Sequence, residues 1–352
     1  MTNYRIKPHC TVVPHSADVV ELRIGAWNPT SFTLTDDSGS GALYRVLQRL
    51  DGSAAASAIA REEGLPKSDV EALLDHLIEL DVVETRASSA FDRYVETCLP
   101  STFVPAGSAQ VHDGALLVGD PDLTDRLSGL LRSSEVEGVE VLDQRSAAAE
   151  ALRTADITRL MNGLTLHEDL ASFEAWRGRF VVAIDATLHP LRLLYLNRIM
   201  LELGAPWLHA VVDGPFLIVG PIFEPGRSAC YDCFEQRVML NARESASYQR
   251  YKVALATGTV TPSRAPILPV VTEVLVAHAA LEALNFVRTG SGFTQGKALT
   301  IHLPTMELAF HDVLRLPSCR SCGPLPERDD TELYFDTRSY VQDLLVRDGA
   351  SG

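Results

Sequence analysis

Short stretches of alternating apolar and polar residues open the chain, and three stretches with a helical period follow them. His-Ser and Asn-Pro pairs separate the strands, and Asp51-Gly52 and Gly64-Leu65-Pro66 separate the helices. The predicted elements are, in chain order, strands over 10–14, 18–24 and 30–34, helices over 41–50, 54–63 and 69–80, and a short strand over 82–85. We expect an antiparallel sheet with small helices packed behind it, forming a domain over residues 1–88.

The third predicted helix carries the most local signals. Ser68 and Glu71 form a capping-box pattern, which predicts where the helix begins. One face of the helix is apolar and consists of Val70, Leu73, Leu74, Leu77 and Leu80. After the short strand, a stretch rich in Ser, Ala, Pro and Gly predicts a linker over 89–108.

From residue 109 onward, predicted strands and helices alternate, which indicates a parallel α/β sheet. The clearest strand is the apolar run 180–185, and the clearest helix is the long apolar run 270–288, ended by Gly290. The other predicted elements are strands over 115–119, 139–143, 207–212, 297–303 and 306–314 and a helix over 191–203. We assign this second domain to residues 109–326 and a C-terminal tail to 327–352.

Composition and charge narrow the classes of function. The 352 residues include 31 Lys and Arg against 46 Asp and Glu, a formal net charge of −15, and no basic stripe offsets this charge. We therefore expect no nucleic-acid partner. The first residues contain no continuous apolar segment, and we expect no stretch with the ~20 apolar residues that a membrane helix needs. These features predict a cytoplasmic protein without a membrane partner.

Four of the six cysteines lie in two Cys-x-x-Cys pairs, which are Cys230 with Cys233 and Cys319 with Cys322. Each pair can offer two thiolates to one tetrahedral Zn²⁺, so the spacing predicts a shared zinc site. Four thiolates leave no coordination position open for water, and the predicted zinc is therefore structural. The alternative is a set of unrelated thiols, with one pair redox-active as in a sulfur-carrier or redox adaptor.

Three segments surround these cysteines: FVVAIDATLHPLRLLYLNRIM, GAPWLHAVVDGPFLIVGPIFEPGRSACYDCFEQR and GKALTIHLPTMELAFHDVLRLPSCRSCG. They resemble the ubiquitin-activating-enzyme-like, ThiF-type adenylating enzymes, and the resemblance runs from about residue 113 to about residue 324. It implies a Rossmann-like α/β domain that carries the same split zinc site.

The same resemblance locates a nucleotide site that lacks most of the family's residues. The segment VGDPDLTD keeps Gly119 of the family's glycine loop but has Pro121 and other non-glycine residues at the further glycine positions. Pro121 has no N–H to offer to a phosphate. Asp143 stands at the ribose-binding position without the family's Asn-x-x-Arg stretch, and Leu188 stands at the position of the magnesium-binding Asp. We therefore predict a degenerate site that does not bind ATP, and no catalytic residue.

The first 85 residues resemble the PqqD-like, winged-helix-like elements that recognise leader peptides, on the segment LDG and the segment IAREEGLPKSDVEALLDHLIELDVVE. The alternative is a winged helix that binds DNA or a protein subunit, but the predicted helix 69–80 carries acidic residues where a DNA reader needs Lys and Arg. A leader would add as a strand to the edge of 30–34. The predicted contact residues are Phe32, Thr33, Leu34, Leu73 and Leu77. The alternative for the four apolar residues is core packing, and it is at least as strong for Leu73 and Leu77.

Both resemblances together, in this order, match the leader-binding partner proteins of azoline-forming peptide cyclodehydratases. They imply a non-catalytic subunit that binds a ribosomally made precursor peptide and activates a YcaO-type enzyme, which converts Cys, Ser or Thr to azolines. The resemblance further implies that the chain forms a homodimer. The alternative is an active adenylating enzyme that acts on a peptide or carrier-protein C-terminus.

Overall fold

The chain divides into two units, Met1–Thr102 and Phe103–Gly352. The structure is a computed structural model, and it describes residues 2–27, 30–98, 111–161, 163–263 and 266–323. The predicted C-terminal tail, 327–352, lies outside the described residues. The chain is of mixed α/β class in both units, as predicted.

The first unit contains two small antiparallel sheets. Its elements are β1 Asn3–Ile6, β2 Cys10–Pro14, β3 Val19–Ile24, β4 Thr30–Thr35, α1 Leu43–Arg49, β5 Asp51–Ala55, α2 Ala56–Glu63, α3 Lys67–Glu79, β6 Val83–Glu84 and α4 Ala90–Cys98. The predicted antiparallel sheet is confirmed, with the order β2-β3-β4. A second sheet, β5-β1-β6, was not predicted, because the β5 sequence, DGSAA, has low strand propensity.

One local prediction in this unit, the capping box of Ser68 and Glu71, is wrong. The capping box fails because α3 begins at Lys67 with Pro66 as its N-cap, and no side chain caps the helix. Ser68 is therefore already inside the helix, and its hydroxyl contacts Asp69 Oδ1 at 3.0 Å. The stretch assigned to the linker, 89–108, contains helix α4, and its remainder lies outside the described residues from residue 99 onward.

The second unit is built on a seven-stranded sheet with the order β13-β12-β11-β10-β9-β7-β8. Its elements are β7 Ala115–Gly119, α5 Pro121–Ser133, β8 Glu140–Val141, α6 Ala147–Thr154, α7 Gly163–Ala171, β9 Phe180–Asp185, α8 Pro190–Leu203, β10 Trp207–Asp213, β11 Phe216–Phe223, α9 Tyr231–Asn241, α10 Ser245–Ala256, α11 Pro269–Thr289, β12 Lys297–His302 and β13 Glu307–Asp312. Strands β7 to β10 run parallel, and β11 to β13 run antiparallel.

Helices cover both faces of this sheet and bury its apolar strands. Helices α5 and α11 pack on one face, while α6 and α8 pack on the other. All the strands predicted from residue 109 onward are present, but β11 was not predicted. Its sequence contains Gly220-Pro221, and a proline in a strand interior argues against a strand.

Helix α11 is the long apolar helix that the sequence predicted over 270–288. It is the one described helix with the length and apolar composition of a membrane span. Its apolar face is buried against the sheet, where Leu275, Ala279 and Phe286 are at most 1% exposed. Such burial is typical of the core helix of an α/β domain, which explains its apolar sequence.

Candidate functional site

The four cysteines predicted to bind metal converge at one end of the second unit. Cys230 is the N-cap of α9 and Cys233 lies in its first turn, whereas Cys319 and Cys322 lie in the turns after β13. The Sγ–Sγ distances are 3.9 Å from Cys230 to Cys233, 3.7 Å from Cys230 to Cys319, and 3.5 Å from Cys233 to Cys322. Each pair is thus local in sequence, and the fold brings the two pairs together.

This arrangement fits a tetrahedral metal ion. Four thiolates at ~2.3 Å from one cation are about 3.8 Å apart from each other, which agrees with the measured separations. All four Sγ atoms lie within 4.8 Å of one another, and three of the cysteines are buried. The group can therefore bind one metal ion with no position left for a reactant.

A buried carboxylate supports the cysteines from the side. Asp232 is fully buried between Cys230 and Cys233 in sequence, and it accepts hydrogen bonds from Ser321 Oγ at 2.8 Å and Arg320 Nε at 3.2 Å. Burial alone raises the pKa of Asp232, but the hydrogen bonds from these groups and from Gln236 together bring its pKa below the ordinary value. The carboxylate is thereby kept ionised while it joins the two Cys-x-x-Cys turns.

Sequence analysis did not single out Asp232 or Arg320. Both lie between the cysteines of their own pair, but they are 88 positions apart, so no local pattern reveals the contact. The one sequence signal for this contact was that each Cys-x-x-Cys pair encloses a charged residue, of opposite sign in the two pairs. A further contact joins this region to helix α8, since the Tyr231 N–H donates to Asn197 Oδ1 at 2.9 Å.

The turn between β7 and α5, which aligns with the family's glycine loop, has its N–H groups engaged by the chain itself. Asp120 N–H donates to Ile184 O at 2.9 Å, and Thr124 N–H donates to Asp120 O at the same distance. The Asp120 carboxylate caps α5 by accepting from the Asp122 N–H at 3.1 Å. Pro121 has no N–H. A phosphate would therefore find no unengaged donor from residue 120 to 124, and it would meet a carboxylate instead.

Gly119 has a structural role in this turn. Its φ is +126°, and a Cβ there would lie 2.0 Å from Ile184 O on the neighbouring strand β9. A glycine is therefore needed for the close approach of β7 and β9, whether or not a nucleotide binds.

The space beside this turn is too small for a nucleotide. The cavity lined by Gly119, Leu142 and Arg153 has a volume of about 40 Å³, well below the ~300–1,000 Å³ of typical small-molecule sites. An ion pair between Asp185 Oδ2 and Arg192, at 2.5 Å, borders it. Asp143 is exposed, and its carboxylate accepts from the Arg145 N–H at 2.9 Å in a local turn.

A larger cleft lies at the carboxyl ends of β9 and β10, where ligands of such sheets commonly bind. Its volume is about 670 Å³, and its lining includes Leu188, Asp213, Phe234 and Tyr248. Leu188 contributes only an aliphatic side chain, which cannot coordinate magnesium. At the rim, Glu235 accepts from Tyr248 Oη at 2.6 Å and from Lys252 Nζ at 2.7 Å, so its charge is already balanced.

The five residues predicted to contact a peptide lie in the first unit and differ in exposure. Thr33 is exposed on β4, and Phe32 and Leu73 are partly buried. Leu34 and Leu77 belong to the apolar core, at 7% and 0% exposure. These two support the sheet and the helix from inside and present little surface to a ligand.

The backbone of β4 has one unpaired side among the described residues. The Asp36 N–H donates to Asp18 O at 2.8 Å, just beyond the paired residues Val19 and Thr35. Since hydrogen-bonded pairs alternate in an antiparallel ladder, every second residue of β4 directs its N–H and C=O away from β3. These residues are Ser31, Thr33 and Thr35, and all three side chains are exposed.

Solved structures with a similar fold are a heterocyclase and a second protein, MccB. The heterocyclase TruD has a TM-score of 0.61 at 20% identity, over 92% of this chain and 43% of TruD. A heterocyclase in complex with substrate and cofactor gives 0.61 at 19% identity, over 92% of this chain and 40% of its own. E. coli MccB with AMPCPP and MccA gives a TM-score of 0.50 at 12% identity, over 92% of this chain and 100% of MccB.

The chain therefore spans less than half of the length of these heterocyclases. At these identities the likeness shows a shared fold. No protein-family model matches the sequence, and no curated protein matches it either.

Proposed function

We propose that this chain binds the leader of a ribosomally synthesised precursor peptide and presents that peptide to a YcaO-type cyclodehydratase. The partner converts Cys, Ser or Thr of the peptide to azolines, and this chain activates it. The observation that carries the proposal is the unpaired side of β4 among the described residues. The fold shared with a heterocyclase over 92% of the chain supports the biochemical setting.

The edge of β4 suits the reversible addition of a peptide strand. Ser31, Thr33 and Thr35 offer outward N–H and C=O groups, and their short polar side chains do not obstruct an extended segment. Partly buried Phe32 and Leu73 supply apolar surface for alternate peptide side chains. In this proposal the main chain provides affinity and these two side chains provide selectivity.

The exposed face of α3 argues against the DNA-binding alternative for the first unit. It is acidic, and the residues that form it are Asp69, Glu71, Asp75 and Glu79. A row of carboxylates repels the phosphate backbone of a nucleic acid. A peptide carries no such backbone charge, so the same face is compatible with leader binding.

In the proposed division of labour, the ATP-dependent chemistry belongs to the YcaO-type partner. The engaged N–H groups around Asp120 and the 40 Å³ cavity support this assignment. We propose further that the metal bound by the four cysteines is Zn²⁺ in a structural role, because a closed tetrahedral thiolate set is characteristic of such sites. The alternative of an active adenylating enzyme would need the nucleotide to bind in a larger space such as the 670 Å³ cleft, which Leu188 lines.

Thr33→Pro tests the proposed peptide edge in the full-length chain. The probe is a fluorescently labelled synthetic peptide with the sequence of the cognate leader. Proline removes an outward N–H and strains the strand, so we expect roughly tenfold weaker binding by fluorescence anisotropy. Thr33→Ala keeps the N–H and should bind as the original chain does.

Two results would overturn the proposal. Equal affinity of the Thr33→Pro and Thr33→Ala variants would show that β4 does not receive the leader. ATP–pyrophosphate exchange by the isolated chain, in the presence of the precursor peptide, would favour the adenylating enzyme instead.

A further inference from the structure

The cleft of about 670 Å³ at the carboxyl ends of β9 and β10 has no role in the proposed function. Aromatic and aliphatic side chains make up most of its walls. The aromatic ones are Tyr231 and Phe234 of α9 and Tyr248 and Tyr251 of α10. Typical ligand sites have volumes of ~300–1,000 Å³ and mostly apolar walls with a few polar groups. The cleft has both properties.

The charged groups of the cleft leave one carboxylate unbalanced. Of the described residues that line it, two are charged, and both are acidic: Asp213 at the end of β10 and Glu235 of α9. Lys252 Nζ donates to Glu235 Oε2 at 2.7 Å and neutralises that group. The carboxylate of Asp213 has no hydrogen bond or ion pair with any described residue, and it is exposed in the cleft. The cleft therefore presents one uncompensated negative charge.

Protein atoms surround Asp213 closely enough to desolvate it, although solvent still reaches it through the cleft. This desolvation raises the pKa of the Asp213 carboxyl. The pKa of Tyr251 is raised first by its own burial and then by the charge of Asp213, so the phenol lies near the carboxylate. A cation placed beside Asp213 would stabilise the ionised carboxylate.

We propose that this cleft binds a basic side chain of a peptide, Lys or Arg, with its cationic group beside Asp213 and its aliphatic stem between the apolar walls. Aromatic rings attract a cation to their faces. The chain itself has such a contact here, because Lys252 Nζ lies 5.6 Å from the centre of the Tyr248 ring. Tyr251 and Phe234 offer further rings to the ligand.

The same lining disfavours three other classes of ligand. A nucleotide phosphate would meet the carboxylate of Asp213 and no Lys or Arg among the described lining residues. A Mg²⁺ or Ca²⁺ ion needs about six or more oxygen ligands, and Leu188 beside the carboxylate offers none. A neutral apolar ligand would cover Asp213 without giving it a partner, which costs free energy. A cation on an apolar stem suits both the carboxylate and the walls.

Apolar surface continues from the interior of the cleft onto its rim. Val238 and Leu268 line the cleft and are 44% and 69% exposed. A free amine would fill the interior and leave this rim uncovered, whereas a peptide places the apolar neighbours of its basic residue on it. The rim therefore favours a peptide as the occupant.

Two matched tripeptides test the preference for a cation on the full-length chain. They are acetyl-Leu-Lys-Leu-amide and acetyl-Leu-Gln-Leu-amide, and calorimetric titration measures their affinities. The Lys peptide should bind at least tenfold more tightly, because its charged group gives Asp213 a partner. Hexylamine, which has the cation and the stem without neighbours, should bind more weakly than the Lys peptide. Equal or tighter binding of hexylamine would assign the cleft to free amines and overturn the peptide.

Substitutions in the cleft locate the binding. Asp213→Asn keeps the shape of the side chain and removes its charge, so the Lys peptide should bind about tenfold more weakly, as the Gln peptide does. Tyr251→Ala should weaken both peptides, whereas Tyr251→Phe keeps the ring and should bind them as the original chain does. Asp143→Asn, which alters an exposed carboxylate elsewhere, should change nothing. Full metal content in each variant controls for folding of the second unit.

Three results would overturn the proposal. The first is the absence of saturable binding of the Lys peptide, and the second is equal affinity for the Lys and Gln peptides. The third concerns Arg264, which lies outside the described residues and stands in sequence between the lining residues Ser263 and Pro266. Arg264→Gln should leave the affinity unchanged, and a tenfold increase would show that the chain itself supplies the cation for Asp213. None of these measurements uses a leader peptide, so their outcome is independent of the proposed function.

Discussion

The cysteine cluster and the β7–α5 turn lie in the same unit, but they differ in whether their polar groups are available to a ligand. At the cluster, four Sγ atoms from distant parts of the chain converge within 4.8 Å of one another. At the turn, the N–H groups around Asp120 are engaged by neighbouring backbone and by the Asp120 carboxylate. The comparison teaches that four converging donors leave room for a cation, whereas N–H groups that the chain itself engages leave none for an anion.

The largest expected effect comes from breaking the cluster. Cys233 is fully buried, and Cys233→Ser replaces a strong metal ligand by a weak one. Because metal binding and folding are coupled, we expect metal loss together with about 3 kcal/mol or more of lost stability. Metal analysis and thermal unfolding of the second unit measure the two effects.

Cys10→Ala is the matched control for this prediction, since Cys10 is also buried but lies in the first unit. It should leave the metal content unchanged. A Cys233→Ser variant with full metal content and unchanged unfolding would show that the cluster, like the β7–α5 turn, does not bind a ligand that matters for stability.

An intermediate effect is expected from the carboxylate beside the cluster. Asp232→Asn retains the shape but loses the charged hydrogen bonds to Arg320 and Ser321 that hold the second pair of cysteines. Loss of such a supporting contact weakens metal affinity by about 10–100-fold. Competition with a chromophoric chelator measures this affinity, and exposed Asp143→Asn should leave it unchanged. Equal affinity in both variants would show that Asp232 does not position the ligands.

The smallest expected effect is at the turn, where we predict no gain from restoring glycines. Asp120→Gly/Pro121→Gly removes the carboxylate and restores an N–H, but the adjacent cavity remains about 40 Å³. Calorimetric titration with MgATP should therefore detect no saturable binding to the original chain or to this variant. Retained metal content controls for folding of the variant. Micromolar binding to either protein would contradict the prediction and would show that the turn can still receive a nucleotide.

Some parts of the fold were predictable because their signals are local. The apolar run at 180–185 and the long helix ended by Gly290 each carry their information within a few residues. Strands β1 and β5 were missed because their short sequences carry little strand signal of their own, and β1 is held by pairing with both β5 and β6. The helix start at Lys67 was missed because the capping-box pattern of Ser68 and Glu71 pointed to a later start, whereas the structure has Pro66 as the N-cap.

By itself, the sequence determined the pairs of cysteines, the absence of glycine and N–H at position 121, and the alternation that builds the sheets. These follow from residue identity and spacing. Only the tertiary structure decided that the two cysteine pairs meet, that Asp232 bridges them, that Leu34 and Leu77 are core residues, and that β4 and β13 each lie at an edge of their sheet. The physical reason is that convergence and exposure depend on strand order and packing, which join residues far apart in the chain.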